Sequence, residues 1–319
     1  MTVDSTGVAS VEAVHERLVG GDDLDEEGRR MLDLALDIAT DPTTITLPDG
    51  RALGYADVGD PDGDPIVVFH GFPNARTFGA LFDAAGREHG LRVLTPERPG
   101  FGVSDPLEGR SLSDWPDDLV AFADALDLDA FPVLGVSGGG PYALASAASV
   151  DRVDRAGVAV GVGPMAAIGL RERLPFYLAR FLPPLVRYRL RGDHEEALDD
   201  PMAPLEARVA ETAPADTALW RGAVGRTLVL THVEAARHHG VGPLVDELAI
   251  FARRWDVDLA EIDVPVPMWY GEDDRIVPVA MGRHLAEQVP TADASFYEGL
   301  GHVSAVVENE DDILAALTD

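Results

Sequence analysis

Short apolar runs and helix-patterned stretches take turns along this chain, and that alternation restricts its architecture more than any other feature. Pro65–Phe69, Leu91–Thr95, Phe131–Val136 and Gly157–Gly161 read as strands. Helical patterns fill the gaps at Phe78–His89, Pro116–Leu126 and Tyr142–Ser149. A continuous apolar run suits a strand buried on both faces, which is the environment of a parallel sheet. Strands alternating with helices predict such a sheet, covered by helices on both sides. Ahead of it, Thr43–Leu47 and Ala52–Val58 read as an antiparallel pair across Pro48-Asp49-Gly50.

The alternation breaks after Pro164 and resumes after about Arg254 with strands at Val266–Tyr270 and Ala294–Tyr297 and helices at Ala280–Gln288 and Asp311–Leu317. The stretch between is mostly helical in pattern and rich in proline. We expect residues 165–253 to be a helical insertion, or lid, over the carboxyl ends of the strands, where open α/β sheets bind ligands. The core is then 41–164 and 254–319. Residues 1–40 form an extension with helical spacing at Val11–Val19 and Glu26–Ile38, the second with Asp25 as a candidate cap. Packing on the main domain is its expected role.

The sequence has no cysteine, so disulfides, zinc–thiolate sites and cysteine nucleophiles are excluded. It has 56 acidic residues against 25 basic ones, all arginine, for a net charge of −31. The acid is spread from end to end, which suggests adaptation to high salt, where ions screen the self-repulsion. A chain this negative is a poor partner for nucleic acid. No basic-then-apolar leader is visible in the first residues, and no run is long enough to span a membrane. A cytoplasmic protein is expected, as a monomer or a homodimer.

Chemistry concentrates where Phe131–Val136 ends in Gly135-Val136-Ser137-Gly138-Gly139 and a helix pattern follows. A serine on a sharp strand-to-helix turn is exposed to both a base and a substrate. A serine hydroxyl needs a histidine to take its proton, and the histidine needs a carboxylate to orient it. After Ser137 a strand ends in Gly271, followed by Glu272, Asp273 and Asp274. Spacing from Gly271 and to Val277-Pro278 favours Asp274. A later strand ends in Gly301-His302, making His302 the candidate base. His232, His238 and His239 are expected on the surface or in the lid. An oxyanion needs two backbone N–H donors. Gly138 and Phe72, the latter in Phe69-His70-Gly71-Phe72-Pro73, are the candidates, because Pro73 has no N–H. His70 precedes the acid and is expected to serve by hydrogen bonding, near the substrate.

Taken together, these residues resemble the α/β-hydrolase superfamily. His70-Gly71-Phe72-Pro73 is similar to its oxyanion loop, and Arg98-Pro99-Gly100-Phe101-Gly102 to the turn after the next strand. Gly135–Gly139 resembles the nucleophile elbow, Gly271–Pro278 the acid loop and Gly301-His302 the histidine loop. The resemblance implies an α/β-hydrolase fold, a mostly parallel sheet of about eight strands covered by helices. It implies a cofactor-free serine hydrolase with the triad Ser137, Asp274 and His302, acting on a small-molecule carboxylic ester or related acyl bond. Branches that break carbon–carbon bonds, cofactor-free haloperoxidases and non-catalytic ligand-sensing relatives share the pattern.

One segment runs against the overall charge. Arg171–Arg191 holds six arginines and one acid, Glu172. Leu174, Leu178, Phe181, Leu182 and Leu185 form a helical stripe beside them, with a break expected at Pro183-Pro184. The stripe is expected to lie on the core. Arg173 and Arg180 are candidates for drawing in a carboxylate-bearing substrate.

Overall fold

In the computed structural model, which describes residues 10–20 and 24–318, the eight strands form one sheet in the order β1-β2-β4-β3-β5-β6-β7-β8. Helices α1 (Val11–Val19) and α2 (Glu26–Thr40) precede it. Asp25 caps α2 by accepting from the Gly28 amide at 2.8 Å. Strands β1 (Thr43–Thr46) and β2 (Ala52–Gly59) pair antiparallel, and β2 runs antiparallel to β4 (Leu91–Pro96). All later neighbours are parallel: β3 (Asp64–Phe69), β5 (Phe131–Val136), β6 (Val153–Ala159), β7 (Val266–Gly271) and β8 (Ala292–Tyr297). Strands β3 and β5 are buried through their C-terminal halves, as their unbroken apolar runs require. Edge strand β8 is only partly covered.

The helices of the core are α3 (Asp83–His89), α4 (Trp115–Ala125) and α5 (Gly140–Ser149), with α12 (Val279–Gln288), α13 (Ser304–Val307) and α14 (Glu310–Thr318) toward the C-terminus. The stretch expected as one helix over Phe78–His89 is instead a 3₁₀ run, Arg76–Phe82, followed by α3. Close packing accompanies the tighter winding: a Cβ on Gly79 would stand 2.9 Å from Thr95 Oγ1 on β4. Between β6 and β7 stand six helices, α6 (Leu170–Phe181), α7 (Pro183–Asp199), α8 (Ala203–Glu211), α9 (Asp216–Arg221), α10 (Ala223–Arg237) and α11 (Gly242–Phe251). The chain breaks between α6 and α7 at Leu182, ahead of Pro183-Pro184.

The extension joins the core of these helices. Val14, Leu18, Leu32 and Ala35 are fully buried in one cluster with Leu230 and Val233 of α10. The apolar stripe of α6 and α7, by contrast, does not lie on the core. Leu170, Leu174, Phe181, Leu182, Leu185 and Tyr188 are exposed, Tyr188 to 80%. Sequence periodicity shows that such a face exists, but whether another element covers it depends on tertiary packing. Among the described residues no helix is long and apolar enough to cross a membrane.

Buried ion pairs link the insertion to the sheet. Glu234 of α10 and Glu97 both pair with Arg76 Nη1, at 3.0 and 2.7 Å, with all three side chains fully buried. Glu247 of α11 pairs with Arg98 at 2.8 Å and with Arg110, and accepts from the Tyr142 hydroxyl at 2.7 Å. Removing one partner of such a set strands a buried charge at a cost of about 3–5 kcal/mol.

Candidate active site

Ser137 stands between β5 and α5 with φ 55°. Left-handed backbone costs a non-glycine residue about 1–2 kcal/mol, and such strain is tolerated where the surroundings fix it. The two flanking glycines explain how the turn closes. A Cβ on Gly139 would stand 2.2 Å from the Phe69 carbonyl oxygen, and one on Gly135 would stand 2.5 Å from the Gly139 carbonyl oxygen. No larger side chain fits at either position.

His302 and Asp274 meet at the carboxyl ends of β8 and β7. The His302 Nδ1 to Asp274 Oδ2 distance is 2.7 Å, and the Asp274 side chain is fully buried. Asp274 Oδ1 accepts from the amides of Ile276 at 2.7 Å and Val277 at 2.9 Å, which fixes the carboxylate plane. A carboxylate only accepts, so Nδ1 carries the hydrogen, and in the neutral ring the lone pair is then on Nε2. Of the other two acids in this loop, Glu272 pairs with Arg283 and Asp273 is exposed.

Ser137 and His302 line one cavity of about 340 Å³, together with Gly71, Phe72 and Asn74. Phe72 and Gly138 lie side by side: a Cβ on Gly138 would stand 3.1 Å from the Phe72 amide nitrogen. Behind this loop Arg98 is fully buried and donates to the carbonyls of His70 at 2.6 Å and Gly71 at 2.8 Å. His70 is also fully buried and does not line the cavity. Its Nδ1 lies 2.9 Å from the Gly71 carbonyl, and its Nε2 accepts from the Arg98 amide. Burial, and then the Arg98 charge, hold its imidazole well below the usual range, so it stays neutral.

The structure does not bring Arg173 and Arg180 to this cavity. Arg173 donates to the carbonyls of Ile168 at 2.7 Å and Ala166 at 3.2 Å, and Arg180 to that of Ala252 at 3.1 Å. Both guanidiniums are spent on the insertion's own backbone, and Arg173 faces a separate depression beside Trp255.

Two residues not expected at the site border it. His232, expected at the surface or in the lid, lines the cavity from α10, and burial lowers its imidazole to about 4, with His194 and Arg208 adding to the effect. Asp216, the first residue of α9, is buried and reaches from the insertion to the histidine loop. It accepts from the amides of His302 and Ser304 at 2.9 Å each, from the Ser304 hydroxyl at 2.6 Å and from the Thr212 hydroxyl at 2.9 Å. Burial alone would raise this carboxyl, but the Ser304 and Thr212 donors outweigh it and hold it below the usual range. No local signature in Ala213-Pro214-Ala215-Asp216 marks this contact.

Fold and site define a class, in which a strained serine at a strand-to-helix turn shares a cavity with a carboxylate-bound histidine. A model of the alpha/beta hydrolase family matches residues 66–317, and the chain belongs to that family. Its curated relatives include a non-heme chloroperoxidase of Streptomyces lividans, 30% identical over 81% of this chain and 92% of the relative. Another is a pimeloyl-acyl-carrier-protein methyl ester esterase of Aromatoleum aromaticum, 28% identical over 70% of this chain and 84% of the relative. Among solved structures, an esterase of Exiguobacterium antarcticum superposes with a TM-score of 0.65 at 18% identity, covering 86% of this chain and 98% of its own. A bromoperoxidase of Bacillus anthracis gives a TM-score of 0.62 at 20% identity over the same shares.

Proposed function

We propose that this protein is a serine hydrolase that cleaves carboxylic esters through an acyl-enzyme intermediate. The observation that carries this reading is the 2.7 Å contact between His302 Nδ1 and Asp274, with His302 and the strained Ser137 facing one cavity. His302 Nε2 takes the Ser137 proton as Oγ attacks the ester carbonyl carbon. The carbonyl π electrons move to oxygen, and the amides of Phe72 and Gly138 donate to that oxyanion. Collapse expels the alcohol, which leaves with the proton held on His302. Water then attacks the acyl-serine, again losing its proton to Nε2, and the acid departs as Ser137 regains its hydrogen. His302 serves as base only in its neutral form, with the Nε2 lone pair free.

The test is labelling by a fluorophosphonate probe and turnover of nitrophenyl esters in molar salt, the medium we infer from the net charge of −31. Wild-type protein should be labelled at Ser137. Ser137→Ala should lose labelling and at least ~10³-fold of kcat, and Asp274→Asn about 10⁴-fold. Undiminished ester turnover by folded Ser137→Ala overturns the reading.

A second reading draws on relatives named as a non-heme chloroperoxidase and a bifunctional esterase/perhydrolase. The same acyl-serine attacked by hydrogen peroxide in place of water yields a peracid, which oxidises halide. Halide-dependent bleaching with acetate and peroxide, lost in Ser137→Ala, measures that branch.

A further inference from the structure

The cavity of Ser137 is walled partly by a segment that lies outside the family match. That match begins at residue 66, whereas α2 ends at Thr40. Glu27 and Met31, one turn apart on α2, nevertheless line the cavity. They face it with Phe82 of the 3₁₀ segment and with Val307 and Glu310 at the chain's C-terminal helices. Ser137 is buried, while Glu27 and Val307 are exposed, so the cavity runs from the nucleophile outward to α2.

This wall is fixed. Leu32 and Ala35, on the opposite side of α2 from solvent, are fully buried against α10. A Cβ on Gly28 would stand 2.7 Å from Cβ of Ala223, so α2 and α10 touch with no room to spare. Arg76 donates to the carbonyl of Ile38 at 2.9 Å and ties the helix end to the buried Glu97–Glu234 cluster. A helix held on its buried face, at its N-cap and near its end cannot yield readily to an incoming chain.

The lining toward this end is apolar apart from its carboxylates. A cavity of about 340 Å³ that reaches from Ser137 to α2 leaves room for an acyl chain of several carbons. A terminal carboxylate on the chain would meet the Glu27 carboxylate at this end, while Arg208 and His232 line the insertion side of the cavity.

Resting on the ester-hydrolase reading, we propose that α2 is the acyl-length gauge of this site. Met31 sets how long a chain is accepted, and esters of neutral, unbranched, medium-length acids are the substrate class. The gauge is a property of this chain's extension and not of the family core.

The experiment uses the full chain in molar salt, with Met31→Trp and Met31→Ala and with folding checked by circular dichroism. Across nitrophenyl acetate, butyrate, hexanoate, octanoate and decanoate, Met31→Trp should lower the decanoate-to-acetate ratio of kcat/KM at least tenfold. Met31→Ala should move the optimum to longer chains. The mono-nitrophenyl ester of adipic acid should be at least tenfold poorer than the hexanoate in wild type. A parallel series measures binding of 2-alkanones of increasing length to Ser137→Ala, read by quenching of tryptophan fluorescence, since Trp220 lines the cavity. Chain-length profiles that stay parallel in both series for both Met31 variants overturn the gauge, and preference for the adipate ester overturns the neutral substrate class. Length-dependent ketone binding without any ester turnover supports the gauge and overturns the esterase reading alone.

Discussion

The two halves of the insertion meet the rest of the molecule in opposite ways. Helices α9 to α11 send carboxylates inward. Asp216 reaches the histidine loop, Glu234 reaches Arg76, and Glu247 reaches Arg98 and Arg110. Helices α6 and α7 turn leucines and aromatics outward and use Arg173 and Arg180 to bind the insertion's own backbone. In a chain with 56 acids, burying three of them between the insertion and the core needs a cation or donor waiting for each. The half that shapes the cavity is therefore specified by geometry, and the other half is not.

That contrast can be broken most directly at Glu247. Replacing it by Ala leaves Arg98 and Arg110 buried without their carboxylate, and urea unfolding should show a loss of about 3–5 kcal/mol. A loss under 1 kcal/mol would mean the ion pairs are not what anchors α11. Asp216→Ala comes next. It orphans the amides of His302 and Ser304, at about 1–3 kcal/mol for a buried unsatisfied group. If Asp216 positions the imidazole, kcat should fall at least tenfold with KM little changed, and Asp216→Asn should recover part of it. An unchanged kcat in a folded variant would reduce Asp216 to a purely structural link.

Glu310, on the same cavity, gives a smaller and pH-dependent effect. Burial, and then Asp311, push its carboxyl up to about 7, with His89 opposing and Glu27 adding. The native state thus keeps a proton that the unfolded chain releases near the ordinary ~4.3. Its contribution is complete below that range and drains away as pH climbs toward 7. Glu310→Gln should flatten the decline in stability between about pH 4.5 and 7, measured by urea melts at constant salt. The smallest effect belongs to α6. Leu174→Ser with Phe181→Ser should alter stability by no more than about 0.5 kcal/mol per site, because both side chains already face water. A cost above 2 kcal/mol would mean that this face is covered in solution.

What could be read in advance followed chain-local rules. Ser137, Asp274 and His302, the residues proposed for the chemistry, each follow a strand end with a glycine beside or ahead of the turn, so their shared neighbourhood was marked by the sequence pattern itself. The eight-strand α/β sheet was legible for the same reason, since apolar runs of period two or less sit between helical stretches. That Asp216 reaches the histidine loop and Met31 lines the cavity was not legible, because both places depend on contacts with residues far away in the chain. The stripe on α6 has the same helical spacing whether it is packed or exposed, and only the absence of a covering element in the fold decides. His232 stands in the insertion as expected, but that it faces the cavity was not legible, because α10 turns one side to the cavity and sequence alone does not say which.

Arg98 has a double grip, on Glu247 of α11 with one edge of its guanidinium and on the carbonyls of His70 and Gly71 with the other. Loss of that helix's grip would leave the cation buried without its carboxylate, beneath the peptide units leading to Phe72. The loop thus borrows its rigidity from a helix that does not itself line the cavity.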